Sequence, residues 1–183
     1  METLESGGWV QSKNRLRKAA RVCLMALLPI LAGAAPPPPG SPAPDFQLKN
    51  LQGSLVRLST LRGQPVVLHF WATWCPHCLS EMPLLESASR DLSARGAQVL
   101  AINLGEPRKK VERYARDHGL NFTILLDSRG KAAQAFGVVG LPATVVIDRE
   151  GRVAGQIDMG SLDLGSLEKL IPLTAIPGKK QDR

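Results

Sequence analysis

Phe70-Trp71-Ala72-Thr73-Trp74-Cys75-Pro76-His77-Cys78 sets two cysteines two residues apart, between an apolar run and a helix-like stretch. The run Val66-Val67-Leu68-His69-Phe70 reads as a buried strand, spanning about residues 65–71. After the cysteines, Leu79, Met82, Leu85, Ala88 and Leu92 recur at helical spacing to about Arg95. Pro76 falls near the first helical position, where its missing N–H costs nothing. Pro83 lies inside the same helix and predicts a kink there. A strand that delivers Cys-x-x-Cys to a helix N-terminus makes a reactive thiol, because backbone N–H groups and the helix dipole stabilise the first thiolate. The second cysteine, one turn on, is close enough to resolve a mixed disulfide. The pattern implies redox chemistry, with Cys75 attacking from an exposed helix end and Cys78 buried behind it.

The rest of the chain bounds where that chemistry operates. Its 183 residues allow one domain with a well-buried core plus a tail. The formal charge of +7 is partly a property of the N-terminus, since residues 1–35 hold five basic and two acidic residues. The remaining 18 basic against 14 acidic residues form no dense cluster apart from Arg108-Lys109-Lys110, and few aromatics lie among them. Nucleic-acid binding is therefore a poor reading.

A basic stretch through Arg21 precedes Val22-Cys23-Leu24-Met25-Ala26-Leu27-Leu28-Pro29-Ile30-Leu31-Ala32-Gly33-Ala34-Ala35. This apolar run suits a secretory leader and is shorter than a comfortable bilayer span, and Ala32-Gly33-Ala34 fits a small-x-small cleavage site. Positive charge ahead of it predicts export across the inner membrane, the leader being either removed or kept as an anchor. Cys23 reads as apolar filler within it. The exported part then keeps Cys75 and Cys78 alone, which leaves no structural disulfide and makes that pair the catalytic one.

Residues 1–35 are thus expected to be a signal peptide or anchor, and 36–44 a proline-rich linker, Pro36-Pro37-Pro38-Pro39-Gly40-Ser41-Pro42-Ala43-Pro44, stiff and extended. The domain fills 45–172, and 173–183 form a frayed tail. Within the domain, Phe46–Leu48 and Leu55–Leu58 predict a hairpin around Gly53, followed by a turn at 59–63. Strands are expected at Gln98–Leu104, Phe122–Leu126, Ala143–Asp148 and Arg152–Ile157, and helices at Arg108–His118, Lys131–Phe136 and Leu162–Ile171. Strands alternating with helices, then a closing hairpin and helix, indicate an α/β fold with a central mixed sheet.

With these features in place, the chain resembles thioredoxin-like proteins, and more narrowly the exported TlpA/ResA/CcmG-type thiol–disulfide oxidoreductases. The matching residues are Ala43-Pro44-Asp45-Phe46, Phe70 to Cys75, Glu81-Met82-Pro83, and Gly140-Leu141-Pro142-Ala143-Thr144, within about residues 43–172. The resemblance implies a thioredoxin-like fold with an N-terminal hairpin extension and exchange of disulfides with protein substrates. It implies roles in cytochrome c maturation, thiol reduction at metal sites or general disulfide handling. It also implies a membrane redox partner, DsbD/CcdA-like for a reductant or DsbB-like for an oxidant. The dithiol carries the chemistry, and neither cofactor nor metal is implied.

The resemblance also assigns roles. Glu81, one turn after Cys78, adjoins the active site and would accept the Cys78 proton during resolution. Pro142 corresponds to the proline that faces the disulfide, and Leu141 before it would offer backbone groups to an extended substrate segment. Trp74 and Pro76 would shape the contact surface. His77 lies between the sulfurs, where its imidazole can donate to the Cys75 thiolate and, when protonated, stabilise it by charge; both effects make the disulfide more oxidising. A Pro-His pair is the one found in DsbA-type oxidants, so dipeptide and scaffold point in different directions.

Three other readings are weaker on the residues. Zinc needs a second ligand pair. A peroxiredoxin needs Pro-x-x-x-Thr-x-x-Cys, where this chain has Leu68 and Ala72. A non-enzymatic copper chaperone would want three residues between the cysteines and a later histidine, and none follows His118. His69 is expected to be a core residue and His118 a helix-end residue. Glu106 and Arg108–Lys110 read as a solvated loop and helix start.

Overall fold

The structure, a computed structural model, describes residues 35–157 and 162–171. The leader through Ala34, with Cys23, and the tail from 172 lie outside the described residues. Within them the strands run β1 (Gln47–Asn50), β2 (Leu55–Arg57), β3 (Val66–Trp71), β4 (Gln98–Leu104), β5 (Thr123–Asp127), β6 (Ala143–Ile147) and β7 (Val153–Ile157). The helices are α1 (Pro76–Ala94), α2 (Arg108–Asp117), α3 (Lys131–Ala135) and α4 (Leu164–Leu170).

One mixed sheet forms in the order β2-β1-β5-β4-β3-β6-β7. β3 pairs in parallel with β4, and β4 with β5, whereas β6 runs antiparallel to β3 and β1 antiparallel to β5. β3 is buried along its whole length, which is why it reads as an unbroken apolar run. Its alternate side chains feed two cores. Val67 and Trp71 join Met82, Leu85 and Leu92 of α1 and Leu167 of α4 on one face. Val66, Leu68 and Phe70 meet Ala132, Ala133 and Phe136 on the other.

α1 carries the dithiol, so its ends matter most. Cys75 is its N-cap in an extended conformation, and Pro76 opens the first turn. The helix continues through Pro83 to Ala94, its stripe of Cys78, Met82, Leu85, Ala88 and Leu92 facing the sheet. It stops at Gly96, whose φ of +75° lets Ala97 N–H turn back onto the Leu92 carbonyl. Residues 58–61, expected as part of a strand and turn, form a 3₁₀ helix. Asp45 holds its start, accepting from Ser59 N and Ser59 Oγ, each at 2.9 Å.

Candidate active site

Parallel pairing of β3 and β4 puts the loops after both strands side by side at one edge of the sheet. The loop after β3, residues 72–75, hands the chain to α1. Cys75 N–H donates to the Ala72 carbonyl at 3.2 Å, closing a turn over Thr73 and Trp74. Cys75 and Cys78 are joined in a disulfide, with Cα atoms 5.3 Å apart. Cys78 N–H, in the first turn of α1, points at Cys75 Sγ from 3.2 Å. The helix N-terminus thus aims a donor at the sulfur that would carry negative charge after reduction.

Cys78 is fully enclosed, as expected, but Cys75 is only 4 % exposed rather than open at the helix end. Its sulfur is bonded to that of the enclosed Cys78. What projects instead is Trp74, 65 % exposed, together with Pro76 and His77. Among the described residues His77 makes no ring hydrogen bond to either sulfur; its carbonyl accepts from Ser80 Oγ at 2.8 Å. Glu81 lies half-buried one turn beyond Cys78, with Oε2 enclosed from solvent.

The register Phe70↔Ala143 carries Pro142 to the end of β3, beside the cysteine turn. Pro142 is buried and the Leu141–Pro142 bond is cis. Leu141, half-buried, packs against both cores, and Val139 just before it stands fully exposed. His69 is a core residue, as read from sequence. Its Nδ1 lies 2.9 Å from Thr144 Oγ1 on β6, and burial pushes its pKa down to about 4, which keeps the ring neutral. His118 stacks on Tyr114, ring centroids 3.9 Å apart, at the end of α2.

Glu106 overturns its expected place in a solvated loop. It is 8 % exposed, and its carboxylate meets four donors. Oε2 accepts from Thr73 N at 2.6 Å and Asn103 Nδ2 at 2.8 Å. Oε1 accepts from Thr73 Oγ1 at 2.6 Å and lies 2.7 Å from Lys110 Nζ. Burial alone would raise its pKa, but the bonds from Asn103, Lys110 and Thr73 outweigh that and hold it at about 2. The network is invisible locally because its members span 73 to 110. The one signal lay in topology: parallel neighbours β3 and β4 bring their following loops together.

The AhpC/TSA family model matches residues 39–156. The thiol-disulfide oxidoreductase ResA of Geobacillus kaustophilus is 41% identical over 130 residues, 71% of this chain and 74% of that protein. ResA of Geobacillus thermodenitrificans is 43% identical over 114 residues, covering 62% and 66%. Among solved structures, a thioredoxin family thiol:disulfide interchange protein from Chlorobium tepidum superposes with a TM-score of 0.63 at 28% identity, over 76% of this chain and 96% of that one. A secreted thiol-disulfide isomerase from Corynebacterium glutamicum gives 0.64 at 27% identity, over 72% and 84%.

Proposed function

The chain belongs to the AhpC/TSA family and is a thioredoxin-like thiol–disulfide oxidoreductase of the ResA kind, and we propose that its Cys75–Cys78 pair exchanges disulfides with proteins outside the cytoplasm. The observation that carries this reading is the Cys78 N–H aimed at Cys75 Sγ from the start of α1, with Cys78 sealed behind it. Family membership brings no peroxidase site with it, because the positions that would need Pro and Thr are the buried apolar Leu68 and Ala72.

As a reductant, the Cys75 thiolate attacks one sulfur of a substrate disulfide and expels the other as thiolate. A Cys75–substrate disulfide results. Cys78 gives up its proton, for which Glu81 is the acceptor, and attacks Cys75 Sγ. The substrate leaves as a dithiol and the Cys75–Cys78 disulfide forms, so two electrons have passed to substrate. The reverse sequence oxidises a substrate dithiol. Trp74 and Pro76 provide exposed apolar contact around the sulfurs, and Leu141 offers its backbone to an extended segment. The substrate classes are those of cytochrome c maturation, metal-site thiols or general disulfide handling, with recharging by a DsbD/CcdA-like or DsbB-like membrane carrier.

Export rests on the basic-then-apolar leader and on the secreted character of the Corynebacterium relative. No helix among the described residues is long and apolar enough to cross a membrane. Titrating the Cys75–Cys78 couple against glutathione tests the redox assignment. A single two-electron transition is expected, more oxidising than the roughly −270 mV of thioredoxin. A couple at or below that value would remove the oxidising role given to His77, and absence of a two-electron transition would remove the function.

A further inference from the structure

We propose that Glu106 is a positioning residue for the attacking thiol: through Thr73 it fixes the 72–75 turn, so that Cys75 Sγ stays in front of the Cys78 N–H after the disulfide opens. The proposal rests on Cys75 being the attacking cysteine.

Both hydrogen-bond donors of Thr73, backbone N–H and Oγ1–H, are spent on the Glu106 carboxylate at 2.6 Å each. Thr73 is the first residue inside the turn that Cys75 N–H closes onto Ala72. Whatever holds Thr73 therefore sets the direction in which the chain enters Cys75. Glu106 is itself held, by Asn103 and Lys110. Asn103 sits opposite Trp71 in the β3–β4 register, one residue before the turn begins. The clamp thus joins the ends of two paired strands to the loop that leaves one of them.

In the oxidised protein the disulfide also restrains the turn. Reduction removes that restraint, and the Glu106 bonds, which involve no sulfur, remain. A buried carboxylate is costly unless every lone pair finds a donor, and here Thr73, Asn103 and Lys110 supply them. Lys110 matters for sign. A bare carboxylate near Cys75 would oppose a thiolate, whereas its ion pair with Lys110 at 2.7 Å cancels much of that field. Glu106 acts by holding geometry rather than by charge.

Charge and geometry predict opposite results, which makes the test decisive. Reduced full-length protein is treated with iodoacetamide between pH 5 and 9, and adducts at Cys75 and Cys78 are resolved by mass spectrometry. Thr73→Val keeps the Glu106 charge and deletes one bond; Glu106→Gln removes the charge and two acceptor contacts. Both variants are expected to slow Cys75 alkylation at pH 6 about ten-fold, the scale of one hydrogen bond to a charged group, with little change at pH 9. Thr73→Ser, which keeps the hydroxyl, restores the wild-type profile. An unchanged Cys75 profile in Thr73→Val, with only a lower Tm, would overturn the proposal. So would faster alkylation at pH 6 in Glu106→Gln, the mark of a field effect. If wild-type Cys75 reacts no faster than Cys78, the reading beneath the proposal fails, whatever the variants do.

Discussion

The Cys78 backbone N–H points at Cys75 Sγ from 3.2 Å, so the start of α1 already holds a donor in place for the thiolate that reduction would create. The same turn leaves Cys75 4 % exposed and Cys78 fully enclosed. After reduction, Cys75 is expected to react with a small alkylating agent at least ten-fold faster than Cys78 at pH 7. Site-resolved mass spectrometry of briefly treated protein checks this, and equal rates would contradict the assignment of roles.

His77 is exposed beside the disulfide, free to turn toward a thiolate once one exists. His77→Gln keeps a polar side chain and removes the cationic form. The couple is expected to become more reducing in this variant, read by glutathione equilibrium at pH 7. An unchanged potential would make His77 an ordinary solvated residue of the first helical turn.

His69 predicts an acid-sensitive core. Its folded-state pKa of about 4 lies below the ordinary 6.5, so the folded protein resists a proton that the unfolded chain accepts. Stability is therefore complete above about pH 6.5 and falls as the pH drops toward 4, by about 3 kcal/mol for this group. Urea denaturation of wild type and His69→Asn at pH 7 and pH 4.5 measures it. The wild type should lose more stability across that interval than the variant, and equal losses would contradict the prediction.

Glu106 acts lower on the pH scale. Its carboxyl, normally near 4.5, titrates at about 2 in the folded protein, so its contribution is complete above about pH 4.5 and disappears as the pH falls toward 2. The shift corresponds to about 3 kcal/mol. Glu106→Gln should flatten the acid limb of the stability curve below pH 4.5. An acid limb identical to wild type would show that the four-donor network contributes little.

Much of this was legible because the informative signals are local. Val66–Trp71 is apolar throughout and is a central strand; the spacing of Met82, Leu85, Ala88 and Leu92 is the buried face of α1. The strand that leads into Cys-x-x-Cys and the helix that begins there lie where the spacing predicts them. What escaped depends on neighbours remote in the chain. Glu106 looks solvated until β3 and β4 are known to lie parallel, and the near-complete burial of Cys75 accompanies its bond to the enclosed Cys78. The residue between the sulfurs was easy to find, whereas the carboxylate holding the turn was not.

We propose that Cys75 forms the bond to substrate and that Cys78 releases it. Reduced Cys78→Ser protein, incubated with a disulfide-containing protein and quenched with acid, is the direct test of this division of roles. A stable mixed disulfide, mapped to Cys75 and dissolved by dithiothreitol, is the predicted product. No adduct at Cys75 in that variant, or an equally abundant adduct on Cys78 in a Cys75→Ser variant, would contradict it.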